Sequence, residues 1–158
     1  MIFFTSQLYD GMQPQSGWER RARRQWMRRW KISREYSALI SPLLPAPVVR
    51  LARETLHDAV VESVAQHDGS LTLIMDARRA LGGFAGRRVQ LLFTGVKHRI
   101  RTLGLVGRWW LYEEAHLCSR ARFSLHVLLD EGELEIEADE LRIQRASKPK
   151  GSGDGVCG

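Results

Sequence analysis

Residues 122–144, RFSLHVLLDEGELEIEADELRIQ, carry the strongest structural pattern in the sequence. Apolar side chains recur at every second position: Phe123, Leu125, Val127 and Leu129 first, then Leu134, Ile136 and Ala138. A period of two is typical of β-strands, and Asp130-Glu131-Gly132 between the two runs is a turn signal. The stretch therefore predicts one strand from Arg122 to Leu129 and another, with or without a bulge, from Glu133 to Gln144.

The same period extends upstream from this pair. Residues 60–65 and 71–75 alternate on either side of Asp68-Gly69, a dipeptide typical of a two-residue hairpin turn. Residues 89–95 and 107–117 follow as a third and a fourth strand. Because successive strands are joined by short connections, we expect an antiparallel meander of five to six strands.

The first part of the chain has a different pattern. The opening IFFTSQLY, residues 2–9, predicts a short strand or a buried extended piece. Ser16 is then expected to cap a helix from about Gly17 to Ile40, and a second short helix is expected from Pro47 to about Leu56. Helices followed by strands predict an α+β fold, with the helices packed on the sheet. We expect a single domain over residues 1–145 and a disordered tail over residues 146–158.

The long helix is amphipathic and strongly basic. Its apolar stripe has a tryptophan or alanine at every fourth position, namely Trp18, Ala22, Trp26 and Trp30, and is expected to lie on the sheet. Residues 1–53 hold ten Lys/Arg against three Asp/Glu, whereas the other residues hold fourteen against fifteen. One hypothesis is a nucleic-acid-binding module that uses Arg20, Arg21, Arg24, Arg28 and Lys31. The alternative is a solvated helix face that pairs with acidic strands.

A second candidate surface is acidic and aromatic. Alternation places Trp109 and Leu111 on one strand face and Trp110 and Tyr112 on the other. Carboxylates next to exposed aromatic rings are typical of protein-binding surfaces. The predicted partner-binding residues are Trp110, Tyr112, Glu114, Glu133, Glu135, Glu137 and Asp139. The alternatives are a solvated strand face and coverage of the aromatic pair by the protein's own helix.

Motifs for catalysis or cofactors are not found in the sequence. HExxH and CxxC spacings are lacking, and the glycines of LGGFAG, residues 81–86, precede a strand instead of a helix. We therefore expect no enzyme activity, no cofactor and no metal. A site assembled from His57, Glu114 and His126 stays open as an alternative.

The cysteines and the hydropathy bear on the compartment. Two cysteines, Cys118 and Cys157, are too few for a disulfide framework, so free thiols are expected. The start MIFFTSQLYDGM is unlike a signal peptide, and no apolar run approaches the roughly 20 residues of a membrane span. These features favour a cytoplasmic protein.

Several segments resemble an uncharacterised bacterial domain-of-unknown-function family. They are FTSQLYDGMQ (4–13), LHDAVV (56–61), LLFTGV (91–96), WWLYEEAHL (109–117) and FSLHVLLDEGELEIEADELRI (123–143). Members of that family start with an FTxxLY segment, carry an LHD motif and end in a GELEIEADxLRI strand. The resemblance covers residues 2 to about 145 and implies a single domain, with no known reaction, cofactor or catalytic residue.

A looser similarity is to toxin-immunity proteins, which are small domains that cover a toxin's site. Taken with the lack of catalytic motifs, it favours a non-enzymatic protein-interaction domain. The similarity favours an immunity-type inhibitor whose partner is a protein such as a cognate toxin.

Overall fold

The computed structural model describes residues 3–15 and 17–147 of the chain. The helices are α1 (Ser6–Gly11), α2 (Glu19–Ile40) and α3 (Ala46–Glu54), with a 3₁₀ turn at Ser41–Leu43. The strands are β1 (Ala59–His67), β2 (Ser70–Ala77), β3 (Arg87–Thr94), β4 (Trp109–His116), β5 (Phe123–Leu129), β6 (Glu133–Ala138) and β7 (Glu140–Arg145). The predicted α+β class is confirmed, but the antiparallel sheet has seven strands instead of five or six.

Parts of three predictions lie outside the described residues: the Ser16 cap, the Cys157 thiol and the tail from residue 148 onward. Cys118 is a free thiol. Ala146, the first residue of the predicted tail, is buried, and its N–H donates to the carbonyl of Arg88.

The prediction of a strand at the opening segment was wrong, because residues 6–11 form α1. Thr5 is extended, and its hydroxyl accepts a hydrogen bond from the N–H of Leu8 at 3.3 Å, which caps the helix. Phe4, which precedes the cap, and Leu8 within α1 are both buried and belong to the same apolar cluster.

The predicted β1–β2 hairpin is confirmed. Asp68 and Gly69 both have positive φ, at 44° and 69°. Two consecutive residues with positive φ are typical of the type I′ turn that suits the twist of the flanking strands.

The sheet closes on itself. Its strand order is β6-β5-β4-β1-β2-β3-β7, yet the strands at the two ends of this order are separated in the chain by a single residue, Asp139. The predicted sixth strand is therefore one bent segment that pairs with β5 through its first half and with β3 through its second. The simple meander was also wrong, because β3 and β4 are not neighbours and residues 95–108 connect them.

Closure creates one interior core and one outer core. Every second strand residue points inward, and α3 adds Val48 and Leu51 to the same cluster. The outer cluster lies between β4, β5 and the first two helices, and consists of Phe4, Leu8, Ala22, Trp26, Leu111 and Leu128. Full burial of each large apolar side chain contributes roughly 1.5–3 kcal/mol, so the outer cluster holds α1 and α2 on the sheet.

The expectation that three indoles of α2 are buried was wrong. Trp26 is buried, whereas Trp18 is 38% and Trp30 is 42% exposed. A closed sheet presents a convex outer surface, so a long helix can contact it along only part of its length.

A bulge in β4 overturns the predicted alternation of the WWLY segment. The register of β4 against β5 shifts between Trp110 and Tyr112. As a result Leu111 and Tyr112 both belong to the outer cluster, while Trp110 is fully buried in the interior. Beyond the bulge, the edge of β4 that faces away from β5 is unpaired, because β1 pairs with β4 at Ala59 and Val60, opposite Trp110 and Trp109.

Candidate functional site

The exposed side of α2 forms a basic face. Arg23 and Arg34 are exposed on it. So are all five residues predicted for nucleic-acid binding, namely Arg20, Arg21, Arg24, Arg28 and Lys31. Of these side chains, Arg23 forms an ion pair with a described carboxylate, that of Glu19, at 2.9 Å. No described ion pair joins α2 to the acidic strands, so the alternative of a solvated helix face keeps its exposure to solvent but not the pairing that it expected.

Apolar side chains are interspersed with the arginines of α2. Met27 is 61%, Ile32 is 44% and Leu39 is 76% exposed. Trp30 is also open to solvent and has the guanidinium of Arg34 above its ring, 4.9 Å from the centroid. Arginine, methionine and tryptophan are enriched where proteins bind one another, so this face has the composition of an interface. We call it the α2 outer face, consisting of Arg20, Arg21, Arg23, Arg24, Met27, Arg28, Lys31, Ile32 and Leu39.

The acidic strand is largely engaged within the protein. Glu133 accepts hydrogen bonds from the N–H and hydroxyl of Ser6, at 2.9 and 2.8 Å. Glu137 is buried and accepts from Arg120 at 2.5 Å, and Asp139 pairs with Lys97 at 2.5 Å. These carboxylates therefore brace the fold, and the surface they offer to a partner is smaller than their alternation predicts.

The remaining predicted partner-binding residues differ in accessibility. Trp110 and Glu114 are buried, so neither side chain reaches the surface. Tyr112 is half-buried between the rings of Phe4, Trp26 and His57. Glu135 is exposed and lies 3.3 Å from Nε2 of His126. A partner-binding role for the acidic set stays a prediction, and Glu133, Glu135 and Asp139 are its most accessible members.

Glu114 and His126 are close together, but His57 is not part of their cluster. One carboxylate oxygen of Glu114 accepts from the N–H groups of Phe3 and Phe4, at 2.9 and 2.5 Å. The other lies 3.1 Å from Nε2 of His116, whose ring contacts that of His126 at 5.2 Å between centroids. Burial lowers the pKa of His126. This arrangement fastens the N-terminal segment to the sheet.

His57 lies instead at a pocket between α2, α3 and the unpaired edge of β4. Its Nδ1–H donates to the carbonyl of Leu111, and its ring contacts Tyr112 at 5.0 Å between centroids. The neighbouring acid in the pocket is Glu113, which lies on the opposite face of β4 from Glu114. Its Oε2 accepts from Nε1–H of Trp110 at 2.6 Å.

Glu113 has an unusual protonation equilibrium. Enclosure by protein raises the pKa of its carboxyl from 4.5 to about 7, against the opposing effect of hydrogen bonds from Trp110 and Thr55 and of nearby His57. The carboxyl is therefore a neutral donor or a charged acceptor near neutral pH. Sequence patterns gave no signal for this residue, because the bulge at Leu111 decides which side of β4 it occupies.

Two findings limit other kinds of site. Within residues 3–15 and 17–147, no group of three or more His, Cys, Asp or Glu is placed to hold a metal ion. No helix in the described part of the chain is both long and apolar enough to cross a membrane.

The fold and site define an α+β domain with a closed antiparallel sheet, a basic helix face and one polar-floored pocket. The chain belongs to the family described as Protein of unknown function (DUF4085), whose model matches residues 9–137. The predicted resemblance to a domain-of-unknown-function family is thereby confirmed. No match was found among curated proteins. The search of solved structures likewise gave none.

Proposed function

We propose that this protein is a non-enzymatic binding domain that docks an acidic partner protein on the α2 outer face. The observation that carries the proposal is the mixture of exposed arginines and exposed Met27, Ile32 and Leu39 on one side of a helix. Arginines there would meet carboxylates of the partner, while the apolar side chains would gain free energy from burial. An immunity-type inhibitor that covers an acidic site of a toxin is the member of this class that we favour.

The geometry of α2 suits such a contact. Its 22 residues span about 33 Å at 1.5 Å per residue, comparable with one side of a standard protein interface. The outer cluster fixes the helix through Ala22 and Trp26, so the face is presented on a rigid element. A rigid face loses little conformational entropy when a partner binds.

The experiment measures binding to the protein encoded next to this one in its genome. The Arg24→Glu/Arg28→Glu variant reverses two charges on the face, and Arg99→Glu/Arg101→Glu makes the same charge change on the exposed 95–108 connection. We expect the first pair to weaken binding at least tenfold and the second pair to leave it nearly unchanged. Retention of full affinity by Arg24→Glu/Arg28→Glu, or lack of a complex with the neighbouring protein, contradicts the proposal.

Nucleic acid is the second candidate, and the N-terminal half of α2 favours it. Arg20, Arg21, Arg24, Arg28 and Lys31 form no ion pair with a described carboxylate. A phosphate contact would give binding to duplex DNA or single-stranded RNA that weakens steeply with salt, with a slope smaller by about one for each arginine removed.

Apolar variants separate the two candidates. Met27→Ser and Ile32→Ser remove exposed apolar contacts and leave every charge in place. They should weaken docking of a protein and leave nucleic-acid binding unaltered. If charge reversal abolishes nucleic-acid binding and the serine substitutions weaken no complex, the second candidate replaces the first.

A further inference from the structure

A pocket of about 800 Å³ opens between the C-terminal half of α2, helix α3 and the unpaired edge of β4. Pockets that hold small molecules commonly measure about 300–1,000 Å³. The space exists because the two helices turn small side chains towards it, such as Ser33 and Ser37 on α2 and Ala52 on α3. The pairing of β1 with β4 starts at Ala59, opposite Trp110, so the edge of β4 beyond Trp110 stays open on this side.

The floor of the pocket is polar and held in place. Glu113, His57 and Thr55 meet there, with the Glu113 carboxyl fixed by Trp110 at 2.6 Å. The chain entering the floor is strained, since Thr55 has φ 44° and Asp58 has φ 64°. Positive φ at residues other than glycine is costly and tends to occur at ligand-binding positions.

The rim of the pocket is cationic and apolar. Arg34 and Arg53 line it from opposite helices, and neither forms an ion pair with a described carboxylate. Trp30 and Leu81, which are 42% and 60% exposed, line the same rim. Guanidinium groups on two walls of one rim, beside exposed apolar side chains, can bind an anionic group attached to an apolar body.

We propose that this pocket binds a small amphipathic organic anion. Its anionic group lies between Arg34 and Arg53, its apolar or aromatic body packs against Trp30 and Leu81, and a polar end makes hydrogen bonds with Glu113. Carboxylate, phosphate and sulfonate all satisfy the two guanidiniums. The floor of the pocket and Arg53 lie away from the α2 outer face, so they can be altered without changing the proposed docking surface.

The test uses two fluorescent probes with the same ring system. One is 1-anilinonaphthalene-8-sulfonate, an amphipathic anion, and the other is N-phenyl-1-naphthylamine, which lacks the sulfonate. We expect the sulfonate to bind at one saturable site, and Arg34→Met or Arg53→Met to weaken its binding about tenfold or more, since each variant removes a charge-assisted hydrogen bond. The neutral probe should bind more weakly and respond little to either variant.

Two further variants locate the bound probe. Ala52→Trp and Ala38→Trp fill the pocket from opposite walls at exposed helix positions, so at least one of them should fold normally by circular dichroism. A folded filling variant should abolish binding of the sulfonate. The control Arg142→Met removes an exposed arginine from β7 and should leave binding unchanged.

Three results would overturn the proposal. The first is that the sulfonate shows no saturable binding at millimolar concentration. The second is that Arg34→Met and Arg53→Met both bind it with wild-type affinity, and the third is that a folded filling variant binds it as the wild type does. A shift of the Trp30 indole N–H resonance on titration, identified with Trp30→Phe, would support it independently. A failure here leaves the docking proposal intact, because the charge-reversal variants for docking lie outside the pocket.

Discussion

Replacement of Glu113 by glutamine should make the protein more resistant to unfolding as the pH rises. The carboxyl titrates at about pH 7 in the folded protein, compared with 4.5 for an unperturbed glutamate. Between these two values the folded state holds a proton that the unfolded state has lost. Stability therefore falls as the pH rises from about 4.5 to about 7, and the full cost is present above that window.

The size of the effect follows from the shift. One pKa unit corresponds to about 1.4 kcal/mol, so a shift from 4.5 to about 7 amounts to roughly 3 kcal/mol for ionisation of the buried carboxyl. Because the side chain is partly reachable from the pocket, solvent lowers this figure, and we expect roughly 2–3 kcal/mol. Glutamine is neutral at every pH and is spared this cost.

The assay is urea unfolding of the wild type and Glu113→Gln at about pH 5 and pH 8.5. About 1 kcal/mol of the cost is already present at pH 5, so the difference in free energy of unfolding between the two proteins should grow by roughly 1–2 kcal/mol from the lower to the higher pH. Any loss of the hydrogen bond from Trp110 affects both pH values alike and cancels in this double difference.

Comparison with the variant is needed because other groups titrate in the same window. The lowered pKa of His126 makes its own contribution to stability increase as the pH rises through the acid range, which opposes the effect of Glu113. Glu140→Gln, at an exposed position, controls for the removal of one carboxylate. A Glu113→Gln difference that is the same at both pH values would refute the argument that this carboxyl is enclosed.

Two further predictions concern the fold. Gly95 and Gly104 both have positive φ, at 66° and 82°, but a Cβ on Gly95 would lie 2.8 Å from Cγ of Asp139, whereas one on Gly104 would meet nothing within 4 Å. Chemical denaturation should therefore show a loss of about 1 kcal/mol for Gly104→Ala and about 3 kcal/mol for Gly95→Ala, and equal losses would contradict a tight closure at Asp139. Glu114→Ala leaves the N–H groups of Phe3 and Phe4 without their acceptor, so we expect about 3 kcal/mol of destabilisation and faster amide exchange at both residues; unchanged exchange there would show that the N-terminal segment is held by other contacts.

The strands and the long helix could be predicted because their signals are local. Alternation around Asp68-Gly69 fixes a hairpin, and arginines opposite Trp26 fix the exposed side of α2. The closure of the sheet could not be predicted in this way. It depends on pairing Leu91 with Ile143, which are far apart in the chain, and on a bend at Asp139 that resembles an ordinary bulge.

The pocket escaped prediction for a related reason. A single bulged residue, Leu111, shifts the following side chains to the opposite faces of β4. Without it Glu113 would point outwards and Glu114 would lie in the interior, so the pairing of His57 with Glu114 was the natural hypothesis. The basic face was easier to identify, because helical periodicity runs without interruption along α2.

The two proposed sites share one helix but use different sides of it. At 100° per residue, Arg24 and Arg28 lie nearly opposite the buried Trp26, whereas Arg34 lies closer to the pocket, beside Trp30. Substitutions at Arg24 and Arg28 therefore leave the pocket in place, and substitutions at Arg53 leave the α2 outer face in place.

Arg34 lies between the two sites, so a docked partner that used its guanidinium would remove one of the two cations from the pocket rim. Thermodynamic reciprocity then requires that the small anion weaken the partner by the same factor as the partner weakens the anion. Under the two proposals, competition at Arg34 is the physical route by which the two kinds of binding would be coupled.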